Sequence, residues 1–127
     1  MNLEHIAITV SDSEEIKSFY QGILGMKEVN RFSLKRDLCM EIFGINNGAD
    51  VFQLEKDDLF LEIFISPSPG DTSFQHICIS VPDREAIIER VLEQEYKCIR
   101  FKRGHSDLVF IGDKSGNLIE LKQYSEK

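Results

Sequence analysis

Apolar and polar residues alternate along LEHIAITV at residues 3–10, with β-branched side chains enriched, and this pattern predicts a strand. The period then lengthens. In SDSEEIKSFYQGILG, Ile16, Phe19, Tyr20, Ile23 and Leu24 fall at i, i+3, i+4, i+7 and i+8, the spacing of one helical face. Asp12 or Ser13 can cap that helix and Gly25 can stop it. Strand-like segments return in MKEVNRFSL (26–34), ADVFQLEK (49–56) and DLFLEIFI (58–65), the last two joined by a turn at Lys56 to Asp58. RDLCMEIFGI (36–45), between the second and third strands, reads as a short helix or an inserted loop.

The order β-α-β-β-β is then written a second time, as internal repeats are. FQHICISV (74–81) repeats LEHIAITV, with a histidine third in both. PDREAIIERVLEQ is the second helix, with Asp83 near its cap and Ile87, Val91 and Leu92 on its buried stripe. YKCIRFKR, SDLVFIG and NLIELKQ complete three more short strands. The Pro/Gly/Ser-rich stretch SPSPGDTS (66–73) is the expected linker between a first module of about residues 1–65 and a second of about 74–127.

Composition adds limits. At 127 residues and 42% hydrophobic, the chain has the size of one domain with a real core. Its net charge of -7 is spread without a basic block, which argues against nucleic acid and against an anionic membrane surface as partners. No apolar run approaches the roughly 20 residues that span a bilayer, and MNLEHIAITV enters a strand pattern at once, so a cytoplasmic protein is expected. Cys39, Cys78 and Cys98 form no CxxC pair and are expected to be reduced, mostly buried thiols.

Candidate chemistry comes from strand faces. Alternate strand residues share a face, so His5 lies with Leu3, Ala7 and Thr9, while Ile6, Ile8 and Val10 point the other way, toward the helices. His76, Cys78 and Ser80 likewise share one face and Ile77, Ile79 and Val81 the other. The last strand of each module carries a carboxylate. Glu62 shares its face with Phe60 and Phe64, and Glu120 shares its own with Leu118 and Lys122. A glutamate in an apolar strand is costly unless it is paired, hydrogen-bonded or bound to a cation. A lone strand His or Glu is ordinarily structural, but two matched pairs in an internal repeat leave open, beside that structural reading, one divalent ion held by His5, Glu62, His76 and Glu120 if the two sheets curve around one cavity. Such N/O ligands suit Zn, Ni, Co, Mn or Fe(II). His105, Arg31 and Arg36 read as solvated surface residues.

The opening His5 strand, FYQGILGM (19–26), FQHICISV and the closing GDKSGNLIEL (112–121) occur in the order that resembles the vicinal oxygen chelate superfamily. That superfamily includes glyoxalase I, methylmalonyl-CoA epimerase, extradiol dioxygenases, and fosfomycin and bleomycin resistance proteins. The resemblance implies an α+β fold in which two βαβββ modules form a cupped, partly open mixed β-sheet barrel with helices outside, a single glyoxalase-like domain over residues 1–127. It places His5, Glu62, His76 and Glu120 at the metal-ligand positions and implies a homodimer.

The function so implied is that of a metal-dependent lyase or isomerase acting on a small oxygenated, α-carbonyl substrate. The ion stabilises an enolate by Lewis acidity while Glu62 or Glu120 takes the proton. Thr9, Phe60, Phe64, Cys78, Ser80 and Lys122 would contact that substrate. Thr9 stands where glyoxalase I usually has a basic residue for glutathione, which points away from glutathione as co-substrate. The alternatives are a non-catalytic, bleomycin-resistance-like binding protein, an Fe(II) extradiol-type dioxygenase that would leave Glu62 superfluous, and fosfomycin-type thiol transfer.

Overall fold

Strand β1 (Ile6–Val10) exists because β4 (Leu59–Ile65) lies beside it in parallel, pairing Ile6 with Leu61 through Val10 with Ile65. In the computed structural model, which describes residues 3–67, 75–102, 104–105 and 107–124, the second module repeats this arrangement. There β5 (Ile77–Val81) runs parallel to β8 (Leu118–Gln123), pairing Ile77 with Ile119 through Val81 with Gln123. The sequence pattern starts both strands earlier, at Leu3 and at Phe74, and this is corrected. Phe74 lies outside the described residues, and His5 and His76 stand one residue ahead of the first laddered position. Alternation alone cannot show where a parallel partner begins.

The chain divides into two compact units, Met1–Gly70 and Asp71–Lys127. Each holds one four-stranded mixed sheet that stays open. In the first, β1 and β4 are continued by β3 (Ala49–Lys56) and β2 (Lys27–Leu34), in the order β1-β4-β3-β2. In the second, β8 is followed by β7 (Leu108–Gly112) and β6 (Lys97–Phe101), in the order β5-β8-β7-β6. The fold is therefore α+β with two βαβββ modules, as the repeat implies. Ser66 and Pro67 follow β4, with the Ser66 N–H donating to the Val10 carbonyl at 2.9 Å, whereas residues 68–73 of the expected linker lie outside the described residues.

Helix α1 starts at Ser13–Glu15, where the Asp12 side chain accepts from the Glu14 N–H at 2.9 Å. It continues as a π-helical stretch over Ile16–Gln21, with Gly22 N–H donating to Lys17 O at 2.9 Å and Leu24 N–H to Phe19 O at 3.0 Å. Ile16, Phe19, Tyr20, Ile23 and Leu24 are all buried, as their spacing predicts. Gly25 takes the left-handed conformation at φ 71°, which a side chain would strain, and frees the chain to enter β2. Helix α2 (Arg36–Phe43) resolves the ambiguous segment as a helix, ended by Gly44 at φ 70°.

Helix α3 (Arg84–Glu93) is capped by Asp83, which accepts from the Ala86 N–H at 3.1 Å. Its buried stripe is Ile87, Ile88 and Val91, and Leu92 is 60% exposed, against expectation. At about 100° per residue the three buried positions span one arc, and Leu92 falls beyond its edge. Leu54, Leu61 and Ile63 fill the core of the first sheet, and Val109, Ile111, Ile119 and Leu121 that of the second. The closing turn of the second unit is built on buried Asp113. Its Oδ1 accepts from the Ser115 and Asn117 N–H groups at 2.9 and 2.8 Å, and its Oδ2 from Asn117 Nδ2 at 2.8 Å. Gly116 supplies the positive φ of 92° that this turn requires.

Candidate metal centre

In the first unit, parallel pairing sets Ala7 beside Glu62 and so brings His5, two residues earlier, to the same sheet face. His5 Nε2 lies 3.3 Å from Glu62 Oε1. The imidazole is about half exposed, and the glutamate side chain is largely covered. The second Glu62 oxygen is already engaged, since Gln53 Nε2 donates to Oε2 at 2.7 Å. Gln53 is the Cα partner of Glu62 on β3, and its own carbonyl oxygen accepts from Asn30 Nδ2 at 3.1 Å.

The second unit repeats the pair in different surroundings. His76 Nε2 lies 3.7 Å from Glu120 Oε1, and the neighbour of Glu120 on β7 is Phe110. The Phe110 and His76 rings meet edge to face, with centroids 5.4 Å apart. On the other side, Cys78 is the register partner of Glu120. Loss of water around the sulfur and the Glu120 charge raise the Cys78 thiol above its ordinary value, with Lys122 opposing. Cys78 is exposed and Cys98 half-buried, which corrects the expectation of mostly buried thiols, while Cys39 is buried as expected.

Two ligand atoms on one transition-metal ion, each bonded at about 2.0–2.2 Å, lie about 3–3.5 Å apart. The His5–Glu62 separation falls in that range, and the His76–Glu120 separation exceeds it by a few tenths of an ångström that an exposed imidazole can close. Each pair supplies one borderline nitrogen and one hard oxygen, the donor mixture that Zn, Ni, Co, Mn or Fe(II) accepts. Among the described residues no three His, Cys, Asp or Glu side chains gather around one point, so the geometry within each unit is that of a pair.

The other expected residues lie beside these pairs. Phe60 and Phe64 flank Glu62 on β4, and Thr9 is the register partner of Phe64. Ser80 pairs with Lys122, which is exposed. His105 is exposed, and Arg36 opens α2 at an exposed position. Arg31 pairs with Glu28 at 2.8 Å and lies over the Phe52 ring at 4.3 Å, an exposed edge contact away from the histidine. Sequence reasoning missed three residues. Phe43 of α2 packs edge to face on Phe64 at 5.6 Å, bringing that helix to the aromatic side of Glu62. Asn30 and Gln53 were also passed over, although a glutamine between Phe52 and Leu54 is itself a polar interruption of an apolar strand.

Known proteins resemble the whole chain. A virulence protein of Salmonella typhimurium, STM3117, is 28% identical over 96% of this chain and 83% of its own length. A lactoylglutathione lyase of Neisseria meningitidis is 27% identical over 97% of this chain and 91% of its own length. Among solved structures, the fosfomycin resistance protein FosX from Listeria monocytogenes superposes with a TM-score of 0.75, at 17% identity over 98% of this chain and 94% of that one. One FosX crystal structure contains Mn(II) and a dihydroxypropylphosphonic acid. A glyoxalase family protein from Enterococcus faecalis gives a TM-score of 0.70 at 22% identity, covering 94% of this chain and 95% of that one. With the family model matching residues 2–121, the chain belongs to the Glyoxalase/Bleomycin resistance protein/Dioxygenase superfamily.

Proposed function

We propose that the protein is a metal-dependent lyase or isomerase acting on a small oxygenated substrate with a C–H bond next to a carbonyl group, and that His5, Glu62, His76 and Glu120 are the ligands of its single divalent ion. The observation that carries this reading is the repetition of an apposed His–Glu pair, at 3.3 and 3.7 Å, at corresponding places in the two modules. A structural ion pair needs no counterpart in the other module. The likeness to a lactoylglutathione lyase supports the lyase class, and the FosX likeness supports the fold.

A bound divalent ion would supply Lewis acidity toward charge developing on the substrate oxygens. The chain's residues do the rest. A carboxylate takes the proton, and Glu120 is the better placed of the two, because Glu62 has one oxygen tied to Gln53 and the other facing His5. Glu120 has Phe110 as its neighbour on β7, and its side chain is largely covered. A positioned base contributes about 10²–10⁴-fold in rate. Phe60, Phe64 and Phe43 offer an apolar wall beside the first pair, and Thr9, Ser80 and Lys122 polar groups for the substrate oxygens.

The test is elemental analysis of the protein purified without a metal-binding tag, beside His5→Ala, His76→Ala and Glu120→Ala. About one divalent ion per chain in the parent, lost in all three variants, supports the reading, and proton exchange next to the carbonyl of small oxygenated substrates is then the first activity to assay. A parent that stays metal-free after incubation with Zn, Ni, Co, Mn and Fe(II) overturns it in favour of an acidic small-molecule binding protein.

A further inference from the structure

We propose that Gln53 is a positioning residue that presents Glu62 to the ion by one oxygen only, and that Asn30 fixes Gln53 in the orientation this needs. The inference rests on the reading of Glu62 as a metal ligand. Asn30, Gln53 and Glu62 are register partners across the adjacent strands β2, β3 and β4, so their side chains line one face of the first sheet. They are linked in series, Asn30 Nδ2 to Gln53 Oε1 at 3.1 Å and Gln53 Nε2 to Glu62 Oε2 at 2.7 Å.

Chemistry sets the direction of that series. An ionised carboxylate only accepts, so Gln53 must turn its NH₂ toward Glu62, and its carbonyl oxygen then needs a donor. Asn30 supplies one. An amide without that anchor could rotate about its last torsion and set its oxygen against the carboxylate, whereas the anchored amide gives a charge-assisted bond. Oε2 is thereby engaged and Oε1 is left facing His5 Nε2.

The second module shows that the fold does not require this arrangement. At the corresponding register positions Glu120 is followed by Phe110 and then Ile99, which offer no amide. The series thus belongs to one carboxylate of the two. Groups that orient a metal ligand in this way typically change metal affinity about 10- to 100-fold when removed.

The test is titration of the metal-stripped full chain with Co(II), read by affinity and by the visible Co(II) absorption spectrum, with thermal melts of the metal-free proteins alongside. Parent, Gln53→Leu and Asn30→Ala are compared. Gln53→Leu should bind Co(II) about 10- to 100-fold more weakly, with an altered spectrum and a metal-free melting temperature close to the parent's. Asn30→Ala, at an exposed position whose loss leaves folding intact, should shift affinity in the same direction by a smaller factor. Equal Co(II) affinity and an unchanged spectrum in a folded Gln53→Leu protein overturn the role of Gln53 while leaving the metal reading intact. Should Gln53→Leu not fold, unchanged affinity in Asn30→Ala overturns the role of the series. A parent that binds no Co(II) overturns the metal reading and this inference with it.

Discussion

The rings of Phe110 and His76 meet edge to face, with centroids 5.4 Å apart and planes at 68°. Contacts of this kind contribute about 0.5–1.5 kcal/mol, and this one limits the rotation of an imidazole that is otherwise 40% exposed. Phe110→Ala is expected to weaken Co(II) binding by about 2- to 10-fold, measured by competition with a chelating dye. An unchanged affinity would show that the ring packs against the histidine without holding it.

The Asp113 turn is expected to be the most sensitive polar feature of the second unit. Both carboxylate oxygens are used while the residue is 7% exposed, so Asp113→Ala takes the carboxylate away from the part-buried Ser115 and Asn117 donors. The expected cost is about 2–3 kcal/mol in a urea unfolding experiment. A loss below about 0.5 kcal/mol would mean that water replaces the carboxylate there.

Arg100 makes a pH-dependent contribution. It bonds Glu85 at 2.6 and 2.9 Å and Asp107 at 2.7 Å, and these bonds hold both carboxyls below their ordinary values of 4.5 and 3.8. A carboxyl depressed in the folded state adds stability above its unfolded value, and that stability is lost as the pH falls through the folded value. The parent should therefore exceed Arg100→Met in stability at neutral pH, with the difference shrinking below about pH 4.5 and gone once both carboxyls are protonated. Melting curves from pH 7 to pH 2 check this. A difference that persists at pH 2 would assign the effect to packing of the arginine stem.

Helix α3 offers a paired test of burial. Ile88→Ala removes a side chain that is 5% exposed and should cost about 2–4 kcal/mol, whereas Leu92→Ala, at 60% exposed, should stay within about 0.5 kcal/mol. Equal losses would mean that Leu92 is covered by something beyond the chain.

The two His–Glu pairs were legible because a strand repeats every two residues and the module repeats once, so the same residues had to reach the same faces. The extent of α2 was harder to read. Only Cys39 of that helix is buried, while Leu38, Met40, Ile42 and Phe43 stay exposed, so its apolar residues follow no core-facing stripe. The π-helical stretch in α1 left Ile16, Phe19 and Tyr20 inward, so the apolar spacing looked like that of an ordinary helix. Asn30 was hidden by the irregularity in β2 between Glu28 and Asn30, where the register skips a residue. Counting by twos from Glu28 lands one position off, and only the pairing itself shows that Asn30 reaches Gln53.

Both modules lay their first strand beside their last, and that topology sets an order of events during synthesis. Neighbouring strands such as β3 and β4 need only a short turn to meet, but β1 cannot find its partner until residues 59–65 have been made. The loop that closes at that step is the longest in the module and the most expensive in chain entropy. His5 sits just ahead of β1, so it meets Glu62 only when this last pairing forms. An incomplete chain emerging from the ribosome would carry the histidine without its carboxylate, and the His5–Glu62 pair would arise at the moment the module completes its sheet.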